Sequence, residues 1–379
     1  MNSTRFLTSR DYEEAIDFLN LAFGGIDFEG LLPKLYKPSM MRHNLARIED
    51  GRIASVVGIF PLEAEAAGVK LKIAGIGGVS THSRRRGGGN MTGLMKRAVE
   101  IAWEWGCDAL CLSGQRQRYE PFGFGPAGVY RVLTVSERNL RGFAADESVT
   151  FRQVGAGDAE LIEQMRSLYA KQSFVYKRGD FYETVISWKA KPYAVLRGGC
   201  FAGYFLYGEH DGDIEELTFS DGSAEGIKET VKGLLNHFRR TINIKVLPYQ
   251  TDFAETIGAF CDGDRLEYDY MWNILNYGKV IRALISVKLG YSVIPDGSVT
   301  INVEGAGAFY IKIKDNTLTF KNAEEAGADI TLPADRADRL LFHDPTHSLL
   351  EMIPADPVKK ACFKNIFPLP LLIRSADRI

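Results

Sequence analysis

The sequence predicts an α/β (α+β) protein of several domains, with mixed sheets flanked by helices, and three observations predict it. The chain has 379 residues, more than one hydrophobic core usually organises. Residues 76–113 read as strand, arginine- and glycine-rich turn, helix and strand, the order of a crossover unit. Residues 149–246 repeat that plan without the arginine-rich turn.

The elements follow from local pattern. Over 11–23, Tyr12, Ile16, Leu19 and Phe23 recur three or four residues apart and Gly24-Gly25 follows, which predicts a helix with a glycine stop. Residues 44–49 and 53–60 flank Asp50-Gly51, a hairpin signal. A third strand is expected over 69–74 and a fourth over 76–81. Met91, Leu94, Met95, Ala98, Ala102 and Trp105 mark one face of a helix over 90–105, Gly106 stops it, and 109–113 resumes as a buried strand. The polar stretch 137–147 separates this block from a second one. There, helices are expected over 159–169, 181–188 and 226–238, and strands over 193–197, 201–209, 213–220 and 242–246; only Ser220-Asp221-Gly222-Ser223 stands where the first block has its turn. A third, smaller α+β block carries a helix over 280–289, strands over 299–303, 308–313 and 317–320, and helices near Arg336 and Pro357. The expected domains are 1–136, 137–276 and 277–379.

Composition narrows the function. With 45% hydrophobic and 25% charged residues the chain is neither disordered nor fibrous, and a net charge of −2 gives no general attraction for nucleic acid or anionic lipid. A small-molecule partner is favoured. The five cysteines are scattered, without disulfide or zinc spacing, and Cys107 and Cys111 read as core residues. His343 and His347 flank Pro345 in a turn-like stretch, and no histidines form a spaced ligand pair, so no metal is expected. His82, beside the turn, is a minor candidate for touching substrate. Neither a secretory signal nor a membrane-spanning run is legible, and the cytoplasm is the expected compartment.

The chemistry concentrates in Val79-Ser80-Thr81-His82-Ser83-Arg84-Arg85-Arg86-Gly87-Gly88-Gly89-Asn90-Met91. A turn that enters a helix offers backbone N–H groups and the positive end of the helix dipole to a pyrophosphate. Arg84, Arg85 and Arg86 add cations, and Gly87, Gly88 and Gly89 remove side chains that would hold phosphates away. The same composition also makes a solvated basic loop, but position between strand and helix favours binding. The nucleotide-binding alternatives fail on spacing: Gly88 and Gly93 are followed by Leu94 in place of lysine, and position 92 is Thr where a dinucleotide loop needs glycine.

This run resembles the acetyl-CoA motif of the GNAT acetyltransferases, Arg/Gln-x-x-Gly-x-Gly/Ala, with Arg86 first and Gly89 fourth; Met91 takes the sixth place and Ser83 that of a frequent proline. A second segment, Tyr119-Glu120-Pro121-Phe122-Gly123-Phe124-Gly125-Pro126-Ala127, resembles one of the enhanced-intracellular-survival (Eis) subfamily, as does the ending Phe367-Pro368-Leu369-Pro370. The resemblance implies tandem GNAT domains, the second degenerate, followed by a sterol-carrier-like domain, in a homo-oligomer. It implies acetyl-CoA as cosubstrate, with Val79, Ser80 and Thr81 aligning the pantetheine arm and thioester, and residues 84–91 holding the pyrophosphate. It also implies Tyr119 as general acid toward the departing thiolate, and the carboxylate of Ile379 reaching the site to take the amine proton. The last residues, 367–379, are too apolar and proline-stiffened for a solvated tail. Asp27 and Glu29, after the first helix, are candidate contacts for a cationic amine acceptor. The competing function is a non-enzymatic acyl-CoA or lipid-binding protein.

Overall fold

The computed structural model describes residues 2–208, 212–220, 222–268, 270–344 and 346–379. Strands β1 (Ser3–Phe6), β2 (Asn44–Glu49), β3 (Arg52–Ala66), β4 (Val69–Thr81), β5 (Ala109–Leu112) and β6 (Gly125–Ala127) come first. Among them lie helices α1 (Tyr12–Ala22), α2 (Phe28–Leu31), α3 (Asn90–Glu104) and α4 (Arg116–Tyr119). The β2–β3 hairpin turns at Asp50 and Gly51, both with positive φ, as its sequence requires. Residues 69–74 and 76–81 form one strand, a correction to the expected two. Gly75 does not break the ladder, because it pairs with Phe60 and carries β4 through.

The next strands are β7 (Tyr130–Val135), β8 (Val149–Gln153), β9 (Phe174–Tyr176), β10 (Ala190–Arg197), β11 (Cys200–Gly208), β12 (Asp213–Phe219), β13 (Ile242–Val246), β14 (Gly263–Glu267) and β15 (Tyr270–Ile274). Helices span Ala159–Tyr169, Phe181–Val185, Ala224–Phe238 and Thr251–Gly258. The expected 181–188 helix ends early, at Val185, and a short 3-10 turn over Ser187–Lys189 follows, in which Trp188 adopts a φ of 61°. Glu209, Asp221 and Pro345, which the sequence reading used, lie outside the described residues. The last strands are β16 (Gly297–Val303), β17 (Gly307–Lys314), β18 (Thr317–Ala323) and β19 (Ile330–Leu332), accompanied by helices Tyr277–Leu289, Ala337–Phe342 and Pro357–Ile366.

The strands assemble into three sheets of order β1-β2-β3-β4-β5-β15-β6, β14-β7-β13-β12-β11-β10-β8 and β18-β17-β16-β19, with β9 added to the far end of β3. A boundary at 136/137 therefore does not separate the sheets. Residues 130–135 pair with β13 and β14 in the second sheet, while β15, from the end of the second block, inserts between β5 and β6 of the first. β7 is buried at Val132, Leu133 and Val135 and β15 at every position but Asn273, and burial of a strand does not name the strand beside it.

The first sheet is covered on one face by α1 and α2, packed on Phe60, Val56 and Ile48, and on the other by α3 through Leu94, Met95, Ala98, Ile101 and Ala102. Met91 is only partly buried and Trp105 is exposed at the helix end. The third unit shares a continuous core with the first sheet, in which Ile281, Leu284, Phe342 and Phe363 join Ile73, Cys111 and Trp272.

Candidate active site

The site begins where β4 parts from β5. Its parallel pairing with β5 covers Ile73↔Ala109, Ala74↔Leu110 and Gly75↔Cys111 and stops there among the described residues. On the other edge Val56 pairs with Ser80 and Gly58 with Gly77, so Gly78 and Val79 oppose Val57 alone, a β-bulge. Gly78 has a φ of +58°, and a Cβ there would lie 2.7 Å from the Tyr36 hydroxyl oxygen; backbone angle and close approach both require glycine. Ser55 Oγ donates to the Ser80 carbonyl at 2.7 Å and shares a hydrogen bond of 2.8 Å with Thr81 Oγ1, which ties the strand end to β3.

Beyond Thr81 the turn builds a cradle. His82 Nδ1 accepts from Arg84 N at 3.2 Å, so this histidine caps a short 3-10 turn over Ser83–Arg85. Gly87 and Gly89 take φ of +82° and +77° with nothing near an added Cβ, so the glycines are demanded by backbone angle and leave the space above them open. Gly89 is the N-cap of α3 and brings no capping side chain. The first N–H groups of this 15-residue helix thus stay available to a ligand.

The resulting cleft, about 680 Å³, is lined by Ala22, Phe23, Val79, Ser80, Thr81, Arg85, Arg86, Gly87, Gly89, Asn90, Met91, Thr92 and Arg118. Nine of the expected cofactor residues meet there; Arg84 and Gly88 do not line it. Arg85 is partly committed, 2.7 Å from Asp50 and 3.5 Å from Glu49. Arg86 makes no ion pair among the described residues. Among the described residues no carboxylate lines the cleft, which is a cationic pocket on a chain of net charge −2. Arg118, Ala22 and Phe23 escaped the sequence reading: no spacing rule points to them, because the fold alone brings α1 and α4 to this opening.

Tyr119 ends α4, 6 % exposed, edge-on to Phe124 and in the cluster on the α3 face. Burial pushes its phenol above the ordinary value, opposed by the neighbouring Arg118 guanidinium. Ile379 lies in the cluster on the α1 face, 7 % exposed, with its N–H donating to Tyr270 Oη at 3.2 Å. Its side chain covers Gly75 and Gly77, where an added Cβ would lie 2.3 Å from Cγ1 and 2.5 Å from Cγ2. The last carboxyl carbon is 3.6 Å from that Gly77 position, two residues before Val79. Asp27 and Glu29 are exposed outside the cleft, and Asp27 Oδ1 caps α2 by accepting from Gly30 N at 2.9 Å. Cys111 is fully buried and Cys107 half-buried. Among the described residues no group of three or more His, Cys, Asp or Glu could hold a metal, and no helix is long and apolar enough to cross a membrane.

Residues 3–127, which carry the bulged strand, the glycine cradle and α3, match the family of the acetyltransferase (GNAT) domain. The chain carries a GNAT acetyltransferase domain and is an enzyme of that class. Solved structures resemble the entire chain. A conserved protein from Enterococcus faecalis V583 has a TM-score of 0.70 at 14% identity, covering 99% of both chains. A GCN5-related N-acetyltransferase from Kribbella flavida has 0.67 at 15%, covering 97% of this chain and 95% of that one. Eis1 from Mycobacterium abscessus has 0.64 at 15%, covering 100% and 99%. At such identities the likeness is one of fold. No curated protein sequence matches this chain. GNAT acetyltransferases use acetyl-CoA as cosubstrate, and the cationic cleft with its open helix N-terminus fits a pyrophosphate-bearing molecule.

The second sheet repeats the arrangement without the cradle. β12 and β13 pair in parallel, and the helix Ala224–Phe238 follows β12 as α3 follows β4. Its N-terminus is capped by Ser223, whose Oγ accepts from Gly226 N at 3.2 Å, and Arg197, paired with Glu229, lies beside Gly226.

Proposed function

We propose that this chain transfers the acetyl group of acetyl-CoA to a primary amine of a small, cationic acceptor by direct attack on the thioester, as an Eis-like N-acetyltransferase. The observation that carries this is the uncapped N-terminus of α3, opening with Arg86 and the Gly87–Gly89 cradle onto the stretch of β4 that has parted from β5. In this reading the backbone at Val79, Ser80 and Thr81 aligns the pantetheine arm. Arg85, Arg86, Gly87, Gly89, Asn90 and Met91 hold the pyrophosphate, with Arg118 as an added cation, while Arg84 and Gly88, outside the cleft lining, shape the turn that carries them.

The amine nitrogen bonds to the thioester carbonyl, the C–S bond breaks, and the thiolate takes a proton from the phenol of Tyr119, whose burial keeps it protonated. The ammonium gives its proton to the carboxylate of Ile379, directly or through water. An α-carboxylate of ordinary pKa, about 3.5, is a weak base, so its larger contribution is to orient and stabilise the ammonium. Asp27 and Glu29 form an outer acidic rim for the acceptor, compatible with the capping role of Asp27, whose second oxygen stays free of that bond. The second domain is a degenerate GNAT unit, the third a sterol-carrier-like unit, and the protein works as a homo-oligomer in the cytoplasm.

The experiment is thiol release from acetyl-CoA over spermidine, an aminoglycoside and a lysine-containing peptide, beside calorimetry with acetyl-CoA and with palmitoyl-CoA. Acetyl-CoA binding with amine-dependent thiol release is expected. Palmitoyl-CoA binding without thiol release on any amine would replace this reading with a lipid-binding one.

A further inference from the structure

The second domain lacks the glycine cradle, yet its sheet parts as the first does. The parallel pairing of β12 with β13 covers only Asp213↔Asn243 and Ile214↔Ile244, and β12 bulges at Glu215. The opening is filled by the end of the chain itself: a residual cavity of about 20 Å³ there is lined by Glu215 and Leu217, Lys245 and Leu247, and Ile373 and Arg378. Tyr176 Oη donates to the Leu372 carbonyl at 2.8 Å, and Arg374 Nη2 donates to Tyr249 Oη at 2.7 Å.

At the centre lies a buried set of opposed charges. Arg178 is bidentate to Glu216, at 3.0 and 2.8 Å, and reaches Asp377 Oδ1 and Oδ2 at 2.9 Å each. Arg374 stands 3.6 Å from Glu216, and Tyr204 Oη donates to Glu216 at 2.5 Å. Two guanidiniums balance two carboxylates, all with side chains 2 or 3 % exposed. Such a network repays its desolvation poorly compared with apolar packing, so its distinguishing property is fixed geometry. The first domain holds the same segment: Lys34 Nζ donates to the Ala376 carbonyl. Only Arg378 separates Asp377 from Ile379, so anchoring Asp377 leaves the terminus within about 7 Å of slack.

We propose that the second domain has converted its own strand splay into a cradle for the chain end, and that Arg178, Glu216 and Asp377 are positioning residues that set the Ile379 carboxylate in the first domain's acetyl-transfer site. This rests on the reading of that carboxylate as part of the site. The degenerate domain then acts on catalysis through residues 374–379 without touching either substrate.

The test is a double-mutant cycle of Asp377→Asn and a Gly-Ser extension after Ile379. Two readouts are taken: kcat and the acetyl-CoA KM, with the best amine of the panel above, and release of the terminal residue by carboxypeptidase. Asp377→Asn should lower kcat at least tenfold with KM for acetyl-CoA within twofold, and release Ile379 at least tenfold faster. In the extended chain Asp377→Asn should have no further effect on kcat, because the group it positions is already displaced. If Asp377→Asn fails to fold, Tyr204→Phe, which removes one hydroxyl, enters the same cycle. Parental kcat in the positioning variant, or effects that multiply in the combined one, overturns the proposal. Parental kcat in the extended chain alone overturns instead the terminal-carboxylate reading beneath it.

Discussion

Gly77→Ala probes the seat of the chain end with one methyl group. Gly77 has an ordinary backbone conformation, so alanine is not strained there, but its Cβ would lie 2.5 Å from Ile379 Cγ2. Carbon atoms rest about 3.5–4.0 Å apart, so something must yield by about 1 Å, and overpacking of this kind costs about 1–3 kcal/mol. β4 cannot easily yield, since it is paired with β3 along its length. Ile379 can: burial of its side chain contributes about 1.5–3 kcal/mol and its hydrogen bond to Tyr270 about 1 kcal/mol, against the freedom of a chain end. The equilibrium constant for seating should fall about 5- to 150-fold; because the clash is comparable with the anchorage, about half or more of the molecules lose the seated terminus, so kcat should fall at least about twofold while KM for acetyl-CoA stays within twofold. Thiol-release kinetics read both constants. Truncating the intruding side chain in Gly77→Ala/Ile379→Ala should return part of the lost turnover. Parental turnover in Gly77→Ala, or a double variant as impaired as the single one, refutes the reasoning.

Arg86→Glu reverses a charge that lines the cleft without an ion-pair partner among the described residues, so KM for acetyl-CoA should rise at least tenfold with the melting temperature unchanged; an unchanged KM removes this stretch from the cosubstrate site. Tyr119→Phe should lower kcat about 10²–10⁴-fold, the usual worth of a positioned acid, while calorimetry shows acetyl-CoA bound as in the parent. Full turnover would dismiss Tyr119 as the acid. Asp27→Ala should cost about 1 kcal/mol through loss of the α2 cap, and raise the KM of cationic amines; a stability loss with unaltered amine KM leaves Asp27 a cap only. Asp338 is buried, accepts from Tyr277 Oη at 2.6 Å, and has its carboxyl pushed up to about 7 by desolvation. Its folded value lies above its unfolded one, so its stabilising contribution is complete below about pH 4 and is lost as pH rises toward 7. Asp338→Asn should therefore match the parent near pH 4 and exceed it at pH 8 by at most about 4 kcal/mol, read from urea unfolding midpoints.

What local chemistry encodes was legible in the sequence. Asp50-Gly51 turns the β2–β3 hairpin because both residues accept positive φ, and Gly106, at a φ of +66°, follows α3 where a stop was expected. The strand–turn–helix order identified the cradle, because helix N-termini and glycine turns are properties of adjacent residues. Reading Gly75 as a break between two strands went wrong for the same reason in reverse: its small size serves Ile379, 304 positions away, and local pattern carries no trace of that contact.

Local pattern was enough for the crossover over residues 69–113, the acidic-poor, arginine- and glycine-rich entrance to α3, and the apolar character of residues 367–373. Long-range packing fixes which strands exchange between the first two sheets, brings Arg118 and Phe23 to the cleft, and leads the tail across the opening of β12 and β13 to end on Gly77. Periodicity states that a face will be buried; it does not state what will cover it. Choosing the partner is a matter of packing and charge balance between segments far apart in the chain, as when Arg178 meets Asp377 across 199 positions.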